Sequence, residues 1–507
     1  MEMLEQQLAG LSPEQRRLVE LLLRKQQGEA ADAMPSSRAA ETEDEHNRVT
    51  GPAPLTGPQQ WFFEKAGDYG GLWNLVMPFD VPAFLGQSPA LIAQVFQHVL
   101  AHHAELRARF VRQAAGWQKV IVEPDHPVPF RCIDLAHLDP AEQEQAIKTT
   151  SDALQREIDL SCAPLVRVAL FYLGESRPAR LVIIAHHLIR DGFSIGIVAD
   201  DFERAYQQLA HGEPIQLPAK RTSVKAYVEC LQAYARSAEL RHELKDYWLQ
   251  LPWAELAPMP LDDPAGQARR TVAAMDAVDV VLSVEETHAL QVELPRIYKA
   301  QAAEVLLMAV MQAVTTWTGR RYQLIGWVYD GRTSALPVLG EFDLSRTVGW
   351  LGFDSYLLLE RVVGDDPVAA LRAIQAQFHR IPNKGLGLNI LRRYGDAETA
   401  ETARSLLREE TLVTVNYLGT LGDPSNSPSE ILRPAVEPRS IPWDPHSRDF
   451  HHALFLTGQI VGGRFHAHWE YNKRVHHRAT VEKIADDFMQ AIRALVIHCQ
   501  SQEPIRF

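Results

Sequence analysis

Five consecutive apolar residues, Leu181 to Ala185, run directly into His186-His187-Leu188-Ile189-Arg190-Asp191-Gly192, after which helical spacing takes over. The apolar run is the pattern of a buried strand, and the switch of period marks a strand-to-helix turn. Two imidazoles and a carboxylate therefore stand at the end of a core strand, where chains commonly put chemistry. A neutral imidazole accepts a proton near pH 7, and a nearby Asp fixes the loop or the histidine environment. Together they can activate an amine, an alcohol or an acidic carbon. A histidine pair beside a core strand can equally be satisfied packing, but the added Asp-Gly at this spacing favours function.

With 507 residues the chain is too long for one simple core, and two or three units are expected. Apolar content of 46% and charged content of 23% are those of a soluble globular protein. A net charge of −13 argues against general nucleic-acid affinity, which needs concentrated Lys and Arg. Cys132, Cys162, Cys230 and Cys499 are too scattered for a zinc or redox motif and fit a reducing compartment. Met1 to Gly10 lacks the basic start and apolar block of a secretion signal, and no apolar run approaches membrane-spanning length. A cytoplasmic location is expected.

Ser12 to Lys25 reads as a short amphipathic helix with a Ser12–Gln15 capping box and a Leu18, Leu21, Leu22 stripe. Residues 1–27 are thus a possible docking helix, and 28–54, poor in large apolar residues, a flexible tether. Strands are expected at Trp117–Val122, Leu165–Tyr172 and Leu181–Ala185, and helices at Ser88–His103, Glu142–Ile158 and Ile195–Leu209. Ser223–Trp248 reads as one long charged helix bridging two lobes. The alternation then repeats: strands at Val278–Leu282, Gln323–Val328, Ser355–Glu360, Leu412–Tyr417, Ala453–Gly458 and Gly463–Tyr471, with helices at Glu304–Trp317 and Val481–His498. Two mixed α/β halves, 55–218 and 219–507, imply a site in the cleft between them.

On these residues the chain resembles the condensation and epimerization superfamily of nonribosomal peptide synthetases, whose mark is His-His-x-x-x-Asp-Gly. The likeness runs from residue 52 to the end and includes Leu55–Phe63, His102–Arg107 and Asp330-Gly331-Arg332. It implies an α/β, two-lobed, chloramphenicol acetyltransferase-like pseudo-dimer with a central tunnel. In that fold the second motif histidine, here His187, faces the tunnel and orients or deprotonates the attacking group. His186 and Gly192 then belong to the motif's frame, and Asp191 is a structural partner salt-bridged to Arg332 of the other lobe. No metal and no permanently bound cofactor are expected. The acyl donor would arrive on the phosphopantetheine arm of an acyl or peptidyl carrier protein, with residues 1–54 as the candidate docking element. The chain shows no recognisable adenylation motif or carrier Ser motif, so a free-standing enzyme is expected.

Asp343–Trp350, Ile381–Gly387 and Asn416–Gly419 look like the epimerization branch. That branch carries Glu-Gly-His-Gly-Arg opposite the histidines, whereas this chain has Val328-Tyr329-Asp330-Gly331-Arg332. Inverting an α-carbon needs proton transfer on two faces, and Val328 cannot supply it. Acyl transfer needs a single imidazole and a thioester leaving group, so condensation to an amide or ester is the favoured activity. Epimerization, with Asp330 or Glu341 replacing the Glu, is the alternative.

Gly192-Phe193-Ser194-Ile195-Gly196 also matches a nucleophile elbow, which would make a serine hydrolase. An elbow places Ser straight off the strand, whereas here the seven motif residues His186–Gly192 intervene, so Ser194 reads better as a cap or first-turn residue. His466 with His468, His451-His452 and His476-His477 lack the spacing of a third metal ligand. A silent carrier-binding module is a further alternative, opposed by the intact motif.

Overall fold

The computed structural model describes residues 49–65, 73–114, 116–269, 274–332, 336–340, 342–364, 366–420, 431–435 and 454–501. The expected docking helix and all but the end of the expected tether lie outside them, as do Glu341, His451 and His452. Strands of the first half are β1 (Gly51–Ala53), β2 (Asn74–Val81), β3 (Ala108–Gln113), β4 (Gly116–Ile121), β5 (Phe130–Asp134), β6 (Val166–Tyr172) and β7 (Ala179–His186). Those of the second are β8 (Met275–Val281), β9 (Tyr322–Tyr329), β10 (Phe353–Glu360), β11 (Leu412–Thr420), β12 (Arg433–Pro434), β13 (Leu454–Val461) and β14 (Arg464–Asn472).

The apolar run that opened the sequence argument lies within β7, of which every residue is buried. It is a central strand of a five-stranded sheet, ordered β12-β2-β7-β6-β5. The second half builds a six-stranded sheet, ordered β10-β9-β11-β13-β14-β8, and β1, β4 and β3 form a small third sheet. Each large sheet has its own apolar core. One gathers residues such as Phe96, Leu170, Ile184 and Phe202, the other Leu307, Ile325, Trp469 and Phe488.

The halves are not independent. Strand β12, from the second half of the chain, pairs antiparallel with β2, Arg433 opposite Asp80 and Pro434 opposite Phe79. Ile431, Leu432 and Val348 are buried in the first core. Gly51–Ala53, at the end of the expected tether, is strand β1 and pairs with β4.

The single long helix expected over Ser223–Trp248 does not form. It breaks into Val224–Ala235 and Ala238–Asp246, because the Ser237 hydroxyl accepts the Leu240 N–H and caps a new helix. One of its charges is turned inward. Glu243 accepts from the Trp248 indole N–H at 2.7 Å, and burial raises its carboxyl pKa. Among the described residues no single helix is long and apolar enough to cross a membrane.

Candidate active site

His186 ends β7, and His187 opens a short 3₁₀ turn, His187–Ile189, that leads to the helix Gly192–Ala210. Strand alternation sends the two imidazoles to opposite sides. His186 is fully buried; its Nδ1 accepts the Leu188 N–H at 3.1 Å, and its ring meets Phe62 edge-on at 5.5 Å. It therefore shapes the turn. His187 is only partly buried. Its ring lies 4.2 Å from Trp350 and 5.8 Å from Trp73, and its backbone N–H donates to the Trp73 carbonyl at 2.8 Å. Trp73 precedes β2 in the first half, whereas Trp350 comes from the second, so His187 stands where the halves meet.

Asp191 is the N-cap of Gly192–Ala210, its Oδ1 accepting from the Ser194 N–H at 3.0 Å and the Ser194 hydroxyl at 2.8 Å. Its Oδ2 accepts from Arg332 Nη1 at 2.7 Å and from the Leu351 N–H at 3.2 Å. Arg332 also donates to the Thr347 carbonyl at 2.7 Å and to Asp330 Oδ1 at 3.1 Å. Burial raises the Asp330 carboxyl pKa, and Arg332 opposes that shift. Asp330 thus belongs to this joint between halves and is held by Arg332.

The Ser194 hydroxyl is buried in the same joint, accepting from the Gly349 N–H at 3.1 Å and from Arg332 Nη2 at 3.2 Å. A nucleophile elbow needs its serine open to substrate and bonded to a base, and Ser194 has neither arrangement among the described residues.

The other sequence motifs converge beneath the turn. Gln59, from Leu55–Phe63, donates through Nε2 to the Leu188 carbonyl at 2.7 Å and to Glu105 at 3.4 Å. Glu105 in turn pairs with buried Lys119 at 2.8 Å. His103 Nε2 contacts Asp201 at 2.8 Å, and Arg346 of the second half binds both Asp201 and, at 2.8 Å, Asp200. These motif residues hold the turn from behind and leave His187 as the motif imidazole directed to the junction. His102, His103 and Asp201 are also spaced as a metal could use them. Arg346 and the Lys220 ammonium, which donates to the His102 carbonyl, already bring positive charge there.

Val328 lies in β9 between Asp354 of β10 and Asn416 of β11 in one cross-strand row. Sequence reasoning passed over Asp354, because its expected strand began at Ser355. The isolated acid next to the apolar stretch Leu357–Leu359 was the available signal. Asp354 lines a cavity with Trp61, Tyr356, Arg392 and Arg408. Burial raises its carboxyl pKa against the lowering effect of Arg393 and Arg392.

The sequence model of the Condensation domain family matches residues 49–504. The chain is 34% identical over 467 residues to a linear gramicidin synthase of Brevibacillus parabrevis, covering 92% of this chain and 9% of that protein. It is 35% identical over 479 residues to chondramide synthase cmdD of Chondromyces crocatus, covering 94% of this chain and 12% of that protein. The chain therefore spans about a tenth of the length of these relatives. Among solved structures it matches the epimerization domain from the third module of tyrocidine synthetase B, with 26% identity and a TM-score of 0.78, covering 90% of this chain and 100% of that one. It also shares its fold with SgcC5 from Streptomyces globisporus, at 16% identity and a TM-score of 0.62, covering 88% of this chain and 98% of that one. The chain belongs to the condensation-domain family of nonribosomal peptide synthetases, with the two-lobed acetyltransferase-like fold of that superfamily.

Proposed function

We propose that His187 activates an amine or hydroxyl for attack on an acyl thioester borne by a carrier protein's phosphopantetheine arm, forming an amide or an ester. The observation that carries this reading is the partly buried imidazole beside Trp73 and Trp350, at the meeting of the halves. An imidazole near neutral pH takes the attacking group's proton and returns it to the departing thiolate. Asp191 and Arg332 act as positioning residues, since their polar groups are engaged in holding the halves together. Val328 offers no second acid or base across the site, and Asp330 is held by Arg332.

The test is transfer from an acyl-loaded carrier protein to a panel of amines and alcohols, followed by intact mass. His187→Ala should lower turnover roughly 100-fold or more without changing the unfolding midpoint. Unchanged turnover would remove His187 from the chemistry.

Epimerization of a carrier-bound aminoacyl group is a second reading, favoured by Asp354 standing directly across from Val328 and by the likeness to an epimerization domain. Chiral analysis of the aminoacyl group before and after incubation separates the two. A changed D/L ratio without transfer selects epimerization.

A further inference from the structure

The Asp354 cavity has about 550 Å³ of empty space, part of it open solvent, and is lined by Trp61, whose ring lies 6.5 Å from that of Trp350, the indole 4.2 Å from His187. Its lining is mixed in an unusual way. Three leucines, Leu324, Leu407 and Leu412, and the Trp61 indole make an apolar wall. Against it stand one carboxylate, Asp354, and two guanidinium groups, Arg392 and Arg408.

Among the described residues these charges form no ion pair with one another, although Arg393 and Arg392 lower the Asp354 pKa through space. The Asp354 carboxylate makes no ion pair or side-chain hydrogen bond among them; it is the backbone carbonyl of this residue that accepts from the Asn389 amide at 2.8 Å. Arg408, at the exposed rim, has no side-chain partner among them, and Arg392 has only the Tyr356 hydroxyl at 3.0 Å. The neighbouring Arg393, by contrast, is paired with Glu64 at 2.6 Å. Asp354 is half-buried, and withdrawing its carboxylate from water carries a free-energy cost that raises its pKa against the nearby Arg393 and Arg392. A ligand that brings both a cation and an anion would relieve that cost on both sides at once.

We propose that this cavity binds a diffusible zwitterionic α-amino acid with an apolar side chain, its ammonium on Asp354, its carboxylate on Arg408 and Arg392, and its side chain against the leucines and Trp61. Charge-assisted hydrogen bonds of both signs orient the ligand, and the apolar wall selects the side chain. Gly326 in the floor keeps room for it, since a Cβ there would meet Leu412 at 3.3 Å and Thr414 at 3.4 Å.

The ligand's use as acyl acceptor rests on the condensation reading; its binding does not. In that use the ammonium first loses one proton to solvent. The amine nitrogen then attacks the thioester carbonyl, the C–N bond forms and the C–S bond breaks. The second nitrogen proton passes through His187 to the departing thiolate, which leaves as the thiol.

The test is isothermal titration of the full chain at pH 7.5 with free leucine and phenylalanine, their amides, which lack the carboxylate, and their N-acetyl derivatives, which lack the ammonium. Saturable binding of the free amino acids is expected, with both derivatives weaker by roughly tenfold or more. Asp354→Asn and Arg408→Gln should each weaken leucine binding by a similar factor while circular dichroism and the thermal midpoint stay at their original values. Absence of binding at about 10 mM leucine, equal binding of the derivatives, or wild-type affinity in both variants overturns the proposal. His187→Ala should bind leucine normally. Leucine binding together with full turnover in that variant would sink the condensation mechanism alone, and an Asp354-dependent D/L change without leucine binding would assign the carboxylate to epimerization instead.

Discussion

Asp191 uses both carboxylate oxygens on structure: one caps the helix behind the motif and the other binds Arg332 and the Leu351 N–H. Removing it leaves a guanidinium that is 6% exposed with, among the described residues, only Asp330 as counter-charge. Breaking a buried pair on one side costs about 3–5 kcal/mol. Asp191→Ala should therefore lower the stability measured by urea unfolding by about that amount, with activity falling as the halves lose their fixed relation. A variant of wild-type stability would show that the joint does not depend on this pair. His187 is the contrasting residue, because its ring lies against the Trp350 and Trp73 indoles at the meeting of the halves and its loss is expected to cost chemistry and not folding.

At the scale of elements, the segment Ile381–Gly387 shows how a sequence motif can serve the site from a distance. Asn383, Lys384 and Gly385 take positive φ values of 47°, 49° and 84° in succession. This left-handed run starts the helix Leu386–Tyr394, which carries Arg392 to the cavity, and turns the Asn383 amide to the Tyr234 hydroxyl at 3.0 Å. A Cβ on Gly385 would lie 2.5 Å from the Tyr356 carbonyl. Gly385→Ala is thus expected to destabilise by about 1–3 kcal/mol, through backbone strain and collision with β10. Leucine affinity should fall with it if the helix is displaced; a neutral effect on the thermal midpoint would mean that β10 yields without cost.

At the scale of the whole molecule, the two halves are joined by a strand exchange, by Arg332–Asp191 and by the cluster of His102, His103, Asp201, Lys220 and Arg346. Burial, then Lys220 and His103, lower the His102 pKa to about 3 from its ordinary 6.5. Between those values the unfolded chain holds the extra proton and the folded one does not. This group's contribution is therefore complete above pH 6.5 and is lost as pH falls through the window. Asp201, raised by burial, works in the opposite sense, since its folded carboxyl takes a proton before the unfolded one. The urea midpoint should drop between roughly pH 7 and pH 4.5, and His102→Gln should flatten that slope. An unaltered slope in the variant would move the acid sensitivity elsewhere.

Local pattern determined much of this protein. The apolar strand into His186–Gly192, the double α/β alternation and the capping boxes are written in short stretches, because strand burial and helix starts depend on neighbours in the chain. The same is true of the family resemblance and of Val328 standing where the resemblance to the epimerization branch would place a glutamate. Other features needed the folded chain. Ser237 divides what reads as one helix, since a cap forms where tertiary packing turns the chain. Strand β12 is two residues long, and only its seat beside β2 makes it a strand. Asp354 was hidden for the same reason. An acid in a strand has no meaning along the sequence until sheet register sets it beside Val328 and folding closes Trp61 and two arginines around it. Periodicity reports which face a residue takes, whereas the identity of its neighbours across strands and halves belongs to long-range contacts that no local spacing encodes.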